Sequence, residues 1–261
     1  MRTCPLNYET VGDPHDPWVL WFHGLFGCGA DWRSFAQALP GRYHLLIDLP
    51  GHGHSATIVE SSWHRCVAEL IEALVEPASS LSVVGYSMGA RVAMGWLCHT
   101  LRQVDRAVLI SGHPGLQQVS EREHRLQVDT ERAAHLMQLG TQNYLHQWYQ
   151  SELLQEIHLA EQSETLIARR ARNESASVAA AMVGLSTGQQ PDYVSDLGKR
   201  ARHITWVAGA RDARYVALLQ RAHRKMPGSD LKIAPTVGHQ VHLLQPQWLH
   251  RVLSDALPLA A

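Results

Sequence analysis

Ser87 lies in the sequence GYSMG (85–89), which has the G-x-S-x-G pattern of a sharp turn between a strand and a helix. A serine hydroxyl becomes an effective nucleophile or base only when an imidazole accepts its proton and a third group orients that imidazole. Asp212 and His239 follow later apolar runs of the chain and could supply those two groups. The order serine, aspartate, histidine is the one expected where several strand ends meet at one edge of a sheet.

Backbone N–H groups beside Ser87 could stabilise a negatively charged oxygen. The turn HGLFG (23–27) follows the apolar run 18–22 and can offer the N–H of Leu25, joined by that of Met88. Simpler interpretations exist, because a lone serine or aspartate is often a helix cap and a lone histidine is often structural. The position of each candidate directly after a predicted strand favours the chemical interpretation.

Four polar residues near these turns are expected to shape loops. His23 follows the first predicted strand, and we expect it to support the turn that it begins. Asp48, His52 and His54 lie in and beside DLPGHG (48–53), where we expect them to hold the loop in shape.

Six short apolar runs bounded by turn residues predict strands buried on both faces of a parallel sheet. They are WVLWF (18–22), YHLLIDL (43–49), LSVVG (81–85), AVLIS (107–111), ITWVAG (204–209) and LKIAP (231–235). Helical patterns such as 63–76 and 88–101 lie between them. The sequence therefore predicts an α/β fold in which strands and helices alternate.

Helical patterns replace strands between the fourth and fifth of these runs. Ser120 and Glu123 have the spacing of a capping box, which predicts a helix from there to about residue 139. Further helices are predicted at 141–150, 161–173 and 175–186. We therefore expect a core formed by 1–112 and 191–261, with 113–190 as a helical lid.

Composition excludes several classes of protein. The formal net charge of −1 over 261 residues provides no overall field for nucleic acid. The four cysteines lack disulfide or metal spacing, and the 17 histidines form no helical zinc pair, so we expect no metal and no cofactor. Neither a signal peptide nor a membrane span is indicated. We expect a cytoplasmic protein that acts on a small molecule; no pattern indicates an oligomeric state.

Arg91 lies one helical turn after Ser87 and on the same face of the predicted helix. The helix macrodipole disfavours a cation there by a few tenths to about 1 kcal/mol. A structural carboxylate, solvent or a substrate carboxylate could compensate. The predicted lid contains further arginines, which would either bind a polyanion or form a solvated face: Arg122, Arg125, Arg169, Arg170 and Arg172.

The sequence resembles one family over most of its length, from about residue 18 to the C-terminus. The matching segments are GYSMGAR (85–91), GHPGLQ (112–117), WYQ (148–150), QPDY (190–193), GARD (209–212) and GHQVH (238–242). They resemble the 2-succinyl-6-hydroxy-2,4-cyclohexadiene-1-carboxylate synthases of menaquinone (vitamin K2) biosynthesis. The resemblance implies an α/β-hydrolase fold, with a mostly parallel sheet, helices on both faces and an inserted helical lid.

The same resemblance implies a lyase that eliminates pyruvate from 2-succinyl-5-enolpyruvyl-6-hydroxy-3-cyclohexene-1-carboxylate, a substrate with three carboxylates. Ser87 would be the base, kept active by His239 and Asp212. The residues that match the carboxylate-binding arginines and the pocket lining of the family are Arg91, Arg125, Arg170, Tyr86, Gln117, Trp148 and Tyr149. By themselves, Trp148 and Tyr149 are more typical of a core.

The sequence departs from the family at two positions. Ala90 stands where a second glycine is commoner, and Leu25 stands where an aromatic residue is common. Arg169 and Arg172 leave the register around Arg170 open.

Two other functions remain open from the sequence. One is a carboxylic-ester or C–C-bond hydrolase that uses Ser87 as a covalent nucleophile. The other is a receptor built on the same fold, which would bind a small ligand with little turnover.

Overall fold

The computed structural model describes residues 6–58, 62–76, 80–158, 163–257 and 259. Within them the chain forms a sheet with the order β1-β3-β2-β4-β5-β6-β7, in which only β1 is antiparallel to its neighbour. The strands are β1 (Tyr8–Val11), β2 (Trp18–Phe22), β3 (Tyr43–Ile47), β4 (Leu81–Tyr86), β5 (Val104–Ile110), β6 (Ala201–Gly209) and β7 (Asp230–Ala234).

Helices connect and cover these strands. They are α1 (Arg33–Gln37), α2 (Trp63–Leu74), α3 (Met88–His99), α4 (Val119–Trp148), α5 (Gln155–His158), α6 (Ser163–Arg170), α7 (Ser175–Gly184), α8 (Val194–Leu197), α9 (Ala213–Lys225), α10 (Val241–Leu244) and α11 (Pro246–Ala256). A short 3-10 helix, Gly29–Trp32, precedes α1. Over the described ranges, no helix is both long and apolar enough to cross a membrane.

The two faces of the sheet bury two separate apolar clusters, because successive side chains of a strand point to opposite faces. In β2, Leu20 and Phe22 belong to the cluster on one face, which also contains side chains of α2, α3 and α9. Val19 and Trp21 belong to the cluster on the other face, which also contains side chains of α1 and α11. Since every residue of β2 is buried, the strand reads as a continuous apolar run, which is why the sequence identified it.

Between β5 and β6 the described residues form the helices α4 to α8, and an apolar cluster holds α4 to α7 together. Leu136, Leu145, Ile167 and Val178 belong to this cluster, and Phe26 from the turn after β2 joins it. The expected break near residue 140 is present, because Gly140 has φ 74° and ψ 158° inside α4.

Three local expectations need correction. The helix α4 begins at Val119 with Gln118 as its N-cap and no side-chain cap, so the predicted capping box at Ser120 was wrong. The edge strand β1 was missed because its half-exposed residues lack an apolar run. The predicted helix 161–173 ends at Arg170, and its first two residues lie outside the described part, as does Cys4.

Two glycines allow α3 to approach the sheet. A Cβ on Gly89 would lie 2.3 Å from the carbonyl oxygen of Phe22 and 2.4 Å from that of His23. A Cβ on Gly85 would lie 2.7 Å from the Cα of Ala90. The glycines of GYSMG are therefore required by the close contact of β2, β4 and α3.

We predict that Gly89→Ala lowers the free energy of unfolding by about 1–3 kcal/mol, because the added methyl group meets backbone that cannot move aside. Urea unfolding would measure the change. Gly228→Ala is the matched control, since a Cβ there has nothing within 4 Å. Equal stability of the two variants would contradict the packing argument.

Several histidines are buried among apolar or hydrogen-bonding groups and stay neutral. His44 accepts a hydrogen bond from Trp21 Nε1 (3.0 Å) and its other ring nitrogen lies 2.9 Å from the carbonyl oxygen of Leu39. Burial lowers the pKa of His52 to about 3, with a further contribution from His23. Burial likewise lowers the pKa of His242 to about 3.

The low pKa of His52 predicts acid sensitivity. Below pH 6.5, His52 is protonated in the unfolded chain, whereas in the folded chain it stays neutral down to about pH 3. The free energy of unfolding therefore falls as the pH is lowered from 6.5 to 3. Urea unfolding at pH 7 and pH 5 should show a loss that is smaller by about 2 kcal/mol in His52→Gln than in wild type. The control His54→Gln, at an exposed position, should lose as much stability between pH 7 and pH 5 as wild type does. If His52→Gln also loses as much as wild type, the prediction is contradicted.

Candidate active site

The predicted site residues lie on turns that meet at one edge of the sheet. The strands β2, β4, β6 and β7 belong to one set of parallel pairings, so their carboxyl ends point the same way. The turns after them carry Leu25, Ser87, Asp212 and His239 respectively. The winding of the chain reverses between β2 and β4, and such a crevice is where open α/β sheets bind ligands.

Ser87 occupies a strained turn. It has φ 52° and ψ −110°, a region that L-residues rarely adopt, and its N–H donates to the carbonyl oxygen of Ile110 at 2.8 Å. Gly24 lies against it, because a Cβ on that glycine would be 3.6 Å from the Cβ of Ser87. Ala90 is accommodated by Gly112, where a Cβ would lie 2.5 Å from the Ala90 Cβ. The methyl group of Ala90, where the family more often has glycine, is thus accommodated by the missing side chain of Gly112.

Ser87, His239 and Asp212 form a chain of hydrogen bonds. The Nε2 of His239 lies 3.1 Å from Ser87 Oγ, and its Nδ1 lies 2.8 Å from Asp212 Oδ2. Because a carboxylate only accepts, Nδ1–H donates to Asp212 and Nε2 is left to accept the serine proton. Asp212 also caps α9, where its Oδ1 accepts from the N–H of Tyr215 at 3.1 Å. Asp212 therefore serves both as a helix cap and as the hydrogen-bond partner of His239.

The imidazole of His239 is fixed from several sides. The ring of Tyr215 meets it edge-on at 4.6 Å between centroids, and that of Tyr86 lies 5.6 Å away. Ser111 Oγ donates to the backbone carbonyl of His239 at 3.0 Å. Tyr215 and Ser111 were missed from the sequence, although each lies close to the end of a predicted strand.

The turn after β2 presents backbone donors beside Ser87. Neither the N–H of Leu25 nor that of Met88 has a hydrogen-bond acceptor among the described residues. His23 supports this turn, as expected: its Nδ1 lies 2.8 Å from the Gly24 carbonyl oxygen, and its Nε2 accepts from the N–H of Leu49 at 2.9 Å.

The loop after β3 is organised by Asp48, as expected. Its Oδ1 accepts from the N–H of Gly29 at 2.7 Å, and its Oδ2 accepts from the N–H of His54 at 2.9 Å. The carboxylate thus ties the loop to the 3-10 helix behind it.

Arg91 is a partly buried guanidinium whose hydrogen-bond partner is a backbone carbonyl. It donates to the oxygen of Leu185, and no carboxylate among the described residues forms an ion pair with it. Burial, followed by the nearby charge of Arg125, lowers the pKa of Arg91 to about 10, so it remains a cation at neutral pH. A cation in this position is available to an anionic ligand.

Arg125 is only partly neutralised. Its Nε donates to Asp129 Oδ2 at 2.8 Å, and the same buried carboxylate accepts from Ser186 Oγ at 2.7 Å. Arg132 also approaches Asp129, at 3.5 Å. One carboxylate is therefore shared by two cations, and a third, Arg91, lies close enough to be affected electrostatically by Arg125.

Arg170 is the buried member of the arginine group at the end of α6. It donates to the hydroxyl of Tyr149, and its Nη2 lies 3.6 Å from Asp31 Oδ2. Among the described residues, its Nε has no hydrogen-bond partner. Arg169 is half-exposed and pairs with the same carboxylate at 2.8 Å, whereas Arg172 is exposed. Sequence reasoning missed Asp31, because nothing in the pattern near 31 pointed to residue 170.

The remaining predicted pocket residues lie in different surroundings. Tyr149 is fully buried in the helical cluster, and Tyr86 is buried with its ring 4.1 Å from that of His242. Trp148 stacks on Tyr144 at 5.8 Å. Gln117 is exposed and donates to Asp192 Oδ2 at 2.9 Å, so its hydrogen bond does not reach the Ser87 triad.

The described ranges contain no cluster of side chains that could bind a metal ion. There, no group of three or more histidine, cysteine, aspartate or glutamate side chains is arranged to hold a metal ion.

Comparison with known proteins places the chain in a family. Residues 19–252 match the alpha/beta hydrolase family. A 2-succinyl-6-hydroxy-2,4-cyclohexadiene-1-carboxylate synthase from Serratia proteamaculans is 34% identical over 238 residues, which cover 90% of this chain and 91% of that protein. The synthase from Citrobacter koseri is 32% identical over 253 residues, covering 95% and 96%.

A solved structure of MenH from S. aureus has the same fold. It matches with a TM-score of 0.89 at 22% identity, covering 96% of this chain and 97% of that one. Together with the family match over residues 19–252 and the identity to the synthases along nearly the whole chain, this likeness confirms the expected fold. The chain belongs to the alpha/beta hydrolase family and, within it, to the family of 2-succinyl-6-hydroxy-2,4-cyclohexadiene-1-carboxylate synthases.

Proposed function

We propose that this protein is a lyase of menaquinone biosynthesis that eliminates pyruvate from 2-succinyl-5-enolpyruvyl-6-hydroxy-3-cyclohexene-1-carboxylate. The product is 2-succinyl-6-hydroxy-2,4-cyclohexadiene-1-carboxylate, which is the compound named in its relatives. Arg91 carries the proposal at the level of the site. This cation lies one turn from Ser87, and its hydrogen-bond partner is a backbone carbonyl. Because no carboxylate of the described residues pairs with it, its charge can bind a carboxylate of the substrate.

The triad supplies the base. His239 accepts the proton of Ser87 Oγ, Asp212 stabilises the resulting imidazolium, and the serine oxygen takes the ring proton next to the succinyl ketone. The electron pair of that C–H bond forms a new ring double bond, the existing double bond shifts by one position, and the C–O bond to the enolpyruvyl group breaks. The leaving enolate takes up the proton held by His239 and becomes pyruvate.

Negative charge develops on the succinyl ketone oxygen during proton removal. The N–H groups of Leu25 and Met88, which have no acceptor among the described residues, are the donors for that oxygen. Because these donors are fixed by the backbone, they need no rearrangement when the charge appears.

The three carboxylates of the substrate are matched by the arginines at the site. Arg91 and Arg125 bind two of them, and the unpaired Nε of Arg170 is available to the third while Asp31 and Tyr149 hold its other nitrogens.

The helical segment 113–190 acts as the lid over this site. It carries Arg125 and Arg170, and its apolar cluster includes Phe26 from the turn beside Ser87. Exclusion of water by the lid strengthens the arginine–carboxylate contacts, because charges interact more strongly in a medium of low dielectric constant. A cytoplasmic location fits a charged, water-soluble substrate of this kind.

A covalent serine hydrolase would use the same triad, and the strained turn at Ser87 suits either reaction. The two reactions differ in what they need from the cations. Ester cleavage requires no polycarboxylate binding, so Arg91 and Arg125 would have no role in it.

We predict that wild-type protein releases pyruvate from the cyclohexene substrate and that Ser87→Ala abolishes this release. Arg91→Ala should lower kcat/KM roughly ten- to a hundredfold, because a charge-assisted hydrogen bond to a carboxylate contributes about 1.5–3 kcal/mol. A lactate-dehydrogenase-coupled assay would measure pyruvate.

Arg106→Ala is the matched control, because Arg106 lies on β5 near the opposite end of the strand from the site. It should leave kcat/KM unchanged. The hydrolase would replace the lyase as the proposed function under two conditions. Wild type would release no pyruvate, and it would cleave p-nitrophenyl esters and be labelled at Ser87 by a fluorophosphonate. A silent Arg91→Ala would remove Arg91 from substrate binding.

A further inference from the structure

A cavity of about 680 Å³ lies between the loop after β5 and the helix α9. We call it the basic groove, because α9 contributes Arg214, Arg221, Arg224 and Lys225 to its lining. The loop contributes His113 and Gln117. The volume is within the range of sites for small molecules.

The cations of the groove form no ion pairs within the described residues, and they outnumber its carboxylates. No ion pair joins Arg214, Arg221, Arg224 or Lys225 to a carboxylate in the described part of the chain. The acidic side chains that line the groove are Glu121 and Asp192. The carboxylate of Asp192 already accepts from Gln117 Nε2 at 2.9 Å and from the N–H of Val194 at 3.2 Å. The groove therefore carries a net positive charge in a chain whose formal net charge is −1.

The helix macrodipole explains only part of this cluster. Arg224 and Lys225 lie in the last turn of α9, where cations are favoured. Arg214 lies in the first turn, where the macrodipole disfavours a cation by a few tenths to about 1 kcal/mol. Helix stability alone therefore does not account for the row of positive charge along this face.

The groove adjoins the site at Ser87. The helix α9 begins directly after Asp212, and Arg214 is followed by Tyr215, whose ring packs on His239. His113 lies in the wall of the groove, and its ring meets that of Tyr215 at 6.5 Å. From Ala213 to Arg224 the helix rises about 16 Å, so its cations extend outward from the triad.

Electrostatic effects on His113 agree with this geometry. Burial lowers the pKa of His113 to about 3, and the further contributions come from Arg91, Arg214, Arg125 and Arg221. His113 is therefore within electrostatic reach of arginines of the site and of arginines of the groove.

We propose that the basic groove is a second anion-binding site, in which Arg214, Arg221, Arg224 and Lys225 capture a small polycarboxylate before it reaches Ser87. The proposal rests on the proposed function for the identity of that polycarboxylate, which is the trianionic substrate. The groove is joined to the site by Tyr215, which packs on both His113 and His239. This proximity favours a ligand that also binds at the site, since a positive surface raises the local concentration of its substrate and the rate of association.

The double variant Arg221→Gln/Arg224→Gln tests capture, because neither residue belongs to the proposed catalytic or binding machinery at Ser87. We expect kcat to stay unchanged and kcat/KM to fall roughly three- to tenfold at low ionic strength. The difference from wild type should disappear as salt is raised, because salt screens exposed charges. Pyruvate release would be measured over a series of salt concentrations.

The matched control is Lys232→Gln/Arg251→Gln, which removes the same charge at two exposed positions outside the lining of the groove. It should retain the salt dependence of wild type. Equal losses in the two double variants, or no loss in either, would overturn the capture role. Absence of pyruvate in wild type would instead overturn the proposed function.

Direct binding distinguishes the two failures. Citrate, a tricarboxylate, would be titrated by calorimetry at about millimolar concentration into Arg91→Gln/Arg125→Gln protein, in which the grip near Ser87 is weakened. We expect binding to remain there and to be lost when Arg221→Gln and Arg224→Gln are added. No citrate binding in the first variant, or binding unchanged in the second, would overturn the groove as a site whatever the activity of the enzyme.

Discussion

The left-handed turn at Ser87 is the constraint on which the rest of the site depends. Its φ of 52° is held because β4 and α3 approach β2 at Gly85 and Gly89, where side chains would collide with backbone. The energy stored in that turn is offset by the packing of a continuous apolar sheet beneath it. Because the turn is rigid, the serine oxygen, the imidazole and the free N–H groups keep their relative positions without a ligand.

Electrostatics then sets what the site can bind. Asp31 is matched to Arg169 and Arg170, and Asp129 is matched to Arg125 and Arg132, so each of these two buried carboxylates serves two cations. This shared arrangement leaves positive charge at Arg91 and Arg125 that the carboxylates of the described residues do not fully neutralise. The same imbalance continues along α9, although the chain as a whole is almost neutral. Positive charge is therefore concentrated at one edge of the sheet, where a substrate with three carboxylates would replace the missing anions.

The success of sequence interpretation differs from element to element for physical reasons. The parallel strands were identified because both of their faces are buried, which makes each an apolar run. The strand β1 was missed because an edge strand that is half exposed needs no such run. The break at Gly140 was anticipated, whereas the start of α4 was not, because the cap residue Gln118 makes no side-chain hydrogen bond that a motif could reveal. Gln117 was expected in the pocket, yet its amide is held by Asp192, a contact across 75 residues of sequence.

The sequence by itself determined the fold class, the serine, histidine and aspartate at strand ends, and the resemblance to one family of synthases, because local patterns and residue order carry that information. Only the tertiary structure decided which cations are free. Arg91 meets a carbonyl, Arg125 shares Asp129, and Arg170 is buried against Asp31, whereas Arg172 is exposed. Ion pairing depends on distances between side chains far apart in the chain, and desolvation depends on what packs around them. Neither ion pairing nor desolvation can be inferred from the spacing of residues in the sequence.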